Sequence, residues 1–296
     1  MPSLEHQVLA TVVPRIRGGA PVEDEDRFRA EKLAAPAPAS RPPRLRGVQV
    51  DRLPAPFPVH DLRVRGTDPQ RTVLYLHGGG YVEPEDRVHW RYAARLARHV
   101  DARVVLPSYP LAPQHTWRDS HDALVRLFEQ LAIESPAGVA IAGDSAGGGL
   151  ALGLARTLVA RPGPQPARLL LVSPWVDLTC TVAGTEEAAL RDPWLHLSRL
   201  RAFGRWWAGG DDVTRPELSP LHGDLTGLPP GLMWCGTRDL LQPQCRHLAD
   251  RAAEQSWDLR YVEEPGLIHV YPILPVPEAR RALAELDDFL APPWRP

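Results

Sequence analysis

Residues 138–153 read Gly138-Val-Ala-Ile-Ala-Gly143-Asp144-Ser145-Ala146-Gly147-Gly148-Gly149-Leu150-Ala-Leu-Gly153, and this stretch decides the fold. Its first half is a short aliphatic run of the kind that forms a buried strand. Its second half begins a helix-period stretch, Ala146–Ala160, with Leu150, Leu154, Leu158 and Val159 on one stripe. Between them lies the pentapeptide Gly143-Asp144-Ser145-Ala146-Gly147, a G-x-S-x-G pattern. A strand that reverses into a helix within one residue forces strained backbone angles on the serine. Side chains at positions 143 and 147 would strike the neighbouring strand and helix, so both are glycine. The turn presents the Ser145 hydroxyl at a helix N-terminus, where partial positive charge favours a developing anion. Asp144 points the wrong way along such a turn to serve the serine, and is expected to make local hydrogen bonds.

The same alternation extends along the chain. Strand-like runs occur at Thr72–Leu76, Arg103–Leu106, Val139–Ala142, Leu169–Val172, Gly231–Cys235 and Leu259–Val262. Helix-period stretches lie at His89–His99, Ser120–Ile133, Ala146–Ala160, Pro243–Ala253 and Glu278–Leu290. Apolar strands alternating with helices predict an α/β fold with a mainly parallel sheet covered on both faces. The interval 181–225 has no strand-like run but crowds Trp194, Leu195, Leu197, Leu200, Phe203, Trp206 and Trp207. It reads as a core helix or as an insertion over the carboxyl edge of the sheet, and the placement of the serine favours the insertion. The N-terminal part is charged at Glu23–Arg29 and Pro/Ala-rich at 35–43, and predicts one or two short helices and a linker.

A second motif, His77-Gly78-Gly79-Gly80, follows the strand Thr72–Leu76. Consecutive glycines let backbone N–H groups turn inward and approach a ligand closely. Acyl transfer passes through an oxyanion, and donors aimed at it are often the largest catalytic contribution. The N–H groups of Gly79, Gly80 and Ala146 are the expected oxyanion hole, with His77 and Gly78 supporting the loop. His77 is expected to orient it by hydrogen bonds, without transferring protons.

Composition excludes several other chemistries. The chain has 296 residues and a net charge of −2, without the cationic excess that nucleic-acid binding requires. No apolar run approaches the roughly 18–20 residues of a membrane span, so stable membrane insertion is not expected. Lys32 is the only lysine, and no Gly-rich loop precedes it; this speaks against a phosphate-gripping loop or a lysine Schiff base. Cys180, Cys235 and Cys245 lack zinc-site spacing and cannot all pair, so buried thiols in a reducing compartment are expected. With no signal-like N-terminus, a cytoplasmic protein is expected. No cofactor and no metal site is called for; Glu83, Glu85, Asp86 and His89 share one loop without convincing ligand spacing.

A serine nucleophile needs a base, and the base an orienting acid, here in the chain order serine, acid, histidine. Only His247 and His269 among the 11 histidines follow every plausible acid. His247 sits within a helix-period stretch, whereas His269 follows the last strand-like run and can reach back over the sheet edge. Asp239 and Asp177 each follow a strand, and either could be the acid.

The ordered set His77-Gly-Gly-Gly80, Ser108-Tyr-Pro-Leu-Ala-Pro113, Gly143-Asp-Ser-Ala-Gly-Gly148, Ser173-Pro-Trp-Val-Asp177, Gly236-Thr-Arg-Asp239 and Ile268-His269 resembles the hormone-sensitive-lipase-like α/β-hydrolases, the bacterial family IV esterases. The resemblance spans roughly residues 70–290. Members usually carry Glu where this chain has Gln114 and often Asn where it has Gly149. The resemblance implies an α/β-hydrolase fold with a small helical cap, formed by an N-terminal segment, 1–45, and the 181–225 insertion within a catalytic domain of 46–296. It places the acid after the penultimate strand, at Asp239, completing a Ser145–His269–Asp239 triad. It makes the 83–89 loop a substrate-access loop. The implied activity is hydrolysis of a small-molecule ester with a short acyl chain, acetyl to roughly hexanoyl, in a pocket expected to involve Tyr81, Trp175, Trp206 and Trp207. A small-metabolite deacetylase or amidase is the alternative, and a non-catalytic receptor a more distant one. The resemblance also implies a capacity to form homodimers.

Overall fold

A computed structural model describes residues 1–36 and 40–290. Part of the Pro/Ala linker, 37–39, and the last six residues lie outside the described residues. In chain order the elements are α1 (Leu4–Val13), a π-turn at Pro14–Gly18, α2 (Glu25–Ala34), β1 (Val48–Leu53), β2 (Val59–Val64), β3 (Thr72–Leu76), α3 (Arg87–His99), β4 (Arg103–Pro107), α4 (Arg118–Glu134), β5 (Val139–Asp144) and α5 (Ala146–Val159). There follow β6 (Arg168–Val172), α6 (Thr185–Arg191), α7 (Leu197–Ala208), β7 (Gly231–Arg238), α8 (Gln242–Glu254), β8 (Leu259–Ile268) and α9 (Glu278–Phe289). The eight strands form one sheet in the order β1-β2-β4-β3-β5-β6-β7-β8. β1 and β2 pair antiparallel, β2 joins β4 antiparallel, and every other pairing is parallel.

Successive strand side chains point to opposite faces, and here each face has its own core. In β3, Leu74 and Leu76 join Leu124, Phe128, Leu150 and Leu154 from α4 and α5, whereas Val73 and Tyr75 join Trp90, Leu96 and Leu283 from α3 and α9. β5 divides in the same way, with Ile141 on one side and Ala140 and Ala142 on the other. A sheet sandwiched like this needs strands without a polar face, which is why the central runs are legible as strands.

The hairpin β1–β2 has no counterpart in the sequence reading. Its residues, Val-Gln-Val-Asp-Arg-Leu and Val-His-Asp-Leu-Arg-Val, are heavily polar. Polar groups are tolerated there because β1 is an edge strand and because Arg103 of β4 bonds Asp61 of β2 at 3.0 Å. β7 and β8 run to Arg238 and Ile268, several residues past their apolar runs. β8 pairs only with β7, and its edge position accommodates Glu263 and Glu264.

Helices α2 and α7 are joined by aromatic packing. Phe28 of α2 meets Phe203 and Trp206 of α7 at ring-centroid distances of 6.0 and 5.4 Å, and Glu25 accepts from the Trp206 indole at 3.1 Å. Gln114 donates to the Lys32 carbonyl at 2.8 Å, so the side chain at this variant position ties α2 to the body. α1 packs elsewhere: the Ile268 N–H donates to His6 Nε2 at 3.1 Å, and Ser3 donates to Glu278. The outer side of α1 and the π-turn carries an exposed apolar row that the sequence reading missed, Leu4, Val8, Val12 and Ile16. Among the described residues no helix is long and apolar enough to cross a membrane.

Candidate active site

Four chain segments converge at the carboxyl edge of the sheet. The first is the turn between β5 and α5. Ser145 holds φ 53° and ψ −122°, a conformation that costs a non-glycine residue of order 1–3 kcal/mol. Two backbone bonds of 2.8 Å hold it there, from Ser145 N–H to the Val172 carbonyl and from Trp175 N–H to the Ser145 carbonyl. A Cβ on residue 143 would lie 2.1 Å from the Gly147 carbonyl oxygen, and one on residue 147 would lie 2.1 Å from that of Leu76. Backbone cannot yield to such contacts, so the glycines are a packing requirement.

The second and third segments are the ends of β7 and β8. Asp239 directly follows Arg238 and His269 directly follows Ile268. His269 Nδ1 lies 2.9 Å from Asp239 Oδ2, and His269 Nε2 lies 2.9 Å from Ser145 Oγ. All three side chains are buried. Asp239 Oδ1 accepts from the Leu241 N–H at 2.9 Å, which orients the carboxylate. Burial disfavours the charged His269 ring, but the Asp239 carboxylate, helped by Asp192 and Asp144, outweighs it and raises the pKa above its ordinary value. With Nδ1–H directed at Asp239, the Nε2 lone pair is left for the serine proton.

The rival residues lie elsewhere. The Asp177 carboxylate is engaged by Thr179 N–H at 3.0 Å and Oγ1–H at 2.7 Å, with His222 at 3.3 Å. His247 is exposed on α8.

The fourth segment is the loop after β3. Gly79 and Gly80 line the same cavity as Ser145 and His269. Ala146 is the first residue of α5, where N–H groups have no acceptor within the helix. A buried polar layer lies beneath. Asp144 Oδ1 accepts from the Tyr75 hydroxyl at 2.6 Å and from Gly78 N–H at 3.1 Å, so it braces the glycine loop. His77 stacks on Tyr109 at 4.4 Å, and the Tyr109 hydroxyl donates to the His77 carbonyl at 2.7 Å. Burial lowers the His77 pKa and keeps the ring neutral.

His89, at the end of the expected access loop and the start of the expected helix, lies in the first turn of α3, with Nε2 3.4 Å from Asp144 Oδ2. Burial opposes its charge, yet Asp144 and Asp86 together push its pKa up to about 10. The Asp86 N–H aimed at Nδ1 opposes that charge, since a protonated Nδ1 has no lone pair to accept it. In either state Nε2–H faces Asp144. Burial raises and His89 then lowers the Asp144 pKa, for a net fall. Glu83 pairs with Lys32 at 2.5 Å, and Glu85 accepts from Ser108 at 2.5 Å and lies 3.5 Å from His77. Asp86 caps α3. The acidic residues of this loop thus have separate partners.

The cavity over Ser145 measures about 480 Å³ and opens between the π-turn, α7 and the α3 loop. Val88, Leu195, Leu200, Phe203, Ile273 and Leu274 supply its apolar wall. The expected pocket residues Tyr81, Trp175, Trp206 and Trp207 do not line it. Tyr81 stacks face to face on Trp207 at 4.5 Å and lies 5.6 Å from Trp175. All four are buried behind the wall, since rings of this size gain more by mutual packing than by facing a wet cleft. The aromatic wall residues are Trp194 and Phe203, and the Phe203 ring lies 2.8 Å from where a Cβ on Gly80 would be. Cys180, Cys235 and Cys245 are buried free thiols, and Cys235 Sγ contacts Asp239 Oδ2 at 3.6 Å.

Comparison with known proteins agrees with this architecture. A family model described as an alpha/beta hydrolase fold matches residues 73–273. An acetyl-hydrolase of Streptomyces hygroscopicus is 34% identical over 226 residues, which cover 74% of this chain and 75% of that protein. An esterase of Acinetobacter venetianus is 29% identical over 255 residues, covering 84% and 80%. The crystal structure of an esterase from the bacterial hormone-sensitive lipase family superposes with a TM-score of 0.84 at 29% identity, covering 100% of both chains. The chain therefore belongs to the α/β-hydrolases, in the hormone-sensitive-lipase-like branch of bacterial esterases.

Proposed function

We propose that this protein is a serine carboxylesterase that uses Ser145, His269 and Asp239 to hydrolyse short-chain acyl esters through an acyl-enzyme. An ester-hydrolysing activity agrees with the esterase and acetyl-hydrolase relatives. The observation that carries the triad is the unbroken relay of 2.9 Å contacts from Asp239 Oδ2 through His269 to Ser145 Oγ.

In the first half-reaction Ser145 Oγ attacks the ester carbonyl while His269 Nε2 takes its proton. The carbonyl oxygen becomes an oxyanion and accepts from the N–H groups of Gly79, Gly80 and Ala146. Asp239 stabilises the imidazolium and keeps it in the productive orientation. As the tetrahedral intermediate collapses, the C–O bond to the alcohol breaks and His269 returns the proton to the departing oxygen. Water then repeats the sequence on the acyl-enzyme, releasing the acid and restoring Ser145.

The apolar side chains of Leu200, Phe203, Leu195 and Leu274 around the cavity support a preference for acyl chains from acetyl to roughly hexanoyl. Ser145→Ala tests the reading. Hydrolysis of p-nitrophenyl acetate and butyrate is expected to fall by at least about a thousandfold with the fold intact, and fluorophosphonate labelling to disappear. Retained turnover overturns the assignment of the nucleophile. An acyl series from acetyl to dodecanoyl is expected to peak in kcat/KM at or below hexanoyl, and a peak at dodecanoyl overturns the chain-length reading.

A further inference from the structure

The second carboxylate beside the triad belongs to Asp192, at the end of α6 in the insertion between β6 and β7. Its Oδ2 accepts from the Leu240 N–H at 2.7 Å, and Leu240 directly follows Asp239. Its Oδ1 accepts from Trp194 N–H at 2.7 Å and Leu195 N–H at 3.0 Å. One side chain thereby joins the acid loop to the start of the cap. Trp194 then completes a second arm, since its indole meets the His269 ring edge to face at 5.5 Å and lines the cavity. We propose that Asp192 is a positioning residue for the hydrolytic reaction: it clasps the cap to the Asp239 loop and sets both the carboxylate and the aromatic neighbour of His269. The inference rests on the triad reading above.

Placing Asp192 beside Asp239 near one imidazole has an electrostatic consequence. The charged groups that bear on His269 are Asp239, Asp192 and Asp144, and each raises its pKa against burial. Asp192 in turn responds to burial first, then to the Asp239 charge, with His269 opposing both, and its pKa is raised to about 6. Three backbone N–H groups hold its oxygens and limit that rise, so the carboxylate is still charged at neutral pH despite its burial. A merely structural cap would need the hydrogen bonds but not the charge.

Asp192→Asn removes the charge and keeps one acceptor oxygen, so one arm of the clasp, to Leu240 or to Trp194 and Leu195, is retained. Loss of a negative charge lowers the His269 pKa, so the acid limb of kcat/KM moves to lower pH, by about half a pH unit. Asp192→Ala also releases Leu240 and Trp194, and kcat/KM for p-nitrophenyl butyrate is expected to fall about tenfold, mainly in kcat. Trp194→Ala leaves the carboxylate in place; it lowers kcat while the acid limb stays where it is, and it stands in if the Asp192 variants fail to fold. A folded Asp192→Asn enzyme with an unmoved acid limb overturns the proposal, as does a Trp194→Ala enzyme with parental kcat. If Ser145→Ala is inactive while these variants behave as the parent, the positioning role falls and the triad reading stands.

Discussion

Ser145 stands between two buried pairs made of the same parts, a carboxylate and an imidazole. On one side Asp239 meets His269 at 2.9 Å, and on the other Asp144 meets His89 at 3.4 Å. Both histidines have raised pKa values. The pairs differ in which nitrogen is spent. Asp239 engages Nδ1 of His269, leaving Nε2 aimed at Ser145 Oγ. In the other pair Nε2 faces Asp144 and Nδ1 faces the Asp86 N–H, so neither nitrogen of His89 is aimed at the serine. Burial and charge therefore do not identify a general base; the direction of the free lone pair does. The Asp144 pair serves the loop, since its carboxylate also holds Gly78 N–H and the Tyr75 hydroxyl.

Paired substitutions break this comparison most sharply at the histidines. His269→Gln is expected to lower kcat by about 10⁴-fold, because no group is left to take the serine proton. His89→Gln keeps an amide donor for Asp144 and is expected to cost no more than about tenfold. Equal losses would mean that the two pairs are not functionally distinct. Next come the carboxylates. Asp239→Asn favours the wrong tautomer and is expected to cost up to about 10⁴-fold, whereas Asp144→Asn acts through the loop, by roughly 10- to 100-fold. Steady-state kinetics on p-nitrophenyl butyrate measure both.

The pH dependence sharpens the same contrast. As the proposed base His269 must be neutral for activity, and its pKa lies above the ordinary 6.5. In the parent kcat/KM is therefore lost as pH falls through that raised value. Removing the Asp239 charge shifts this limb to lower pH in whatever activity remains. A profile flat from pH 5 to 8 would contradict a histidine base. The smallest kinetic effect belongs to Tyr75→Phe, which removes one hydrogen bond to a buried carboxylate. It is expected to destabilise the fold by about 1.5–3 kcal/mol in denaturant unfolding, with kcat changed less than about fivefold.

Much of this was visible in the chain itself. The turn at Ser145 was legible because its steric demands fall on adjacent residues, where glycine at 143 and 147 is the only solution. The central strands were legible because a sheet buried on both faces excludes polar residues. His269 and Asp239 were legible as candidates from strand ends and chain order, although spacing alone leaves Asp177 open and only the family resemblance favours Asp239. The polar hairpin β1–β2 was not, because Asp61 becomes tolerable only once Arg103, from another strand, lies beside it. Nor were the pocket walls: Tyr81, Trp175, Trp206 and Trp207 carry no local mark of whether they face the cleft or one another. His89 and Asp192 escaped for a similar reason, since their partners lie 55 and 48 positions away.

By itself the amino-acid order determined the strand–turn–helix that displays Ser145, the glycine loop that approaches it, and the two-faced sheet beneath, because each depends on neighbours within a few residues. Only the folded chain decided which carboxylate reaches which imidazole, which nitrogen remains free, and which aromatic ring borders the cavity. Those outcomes turn on ångström-scale directions between side chains brought together by the sheet, and such directions have no local signature.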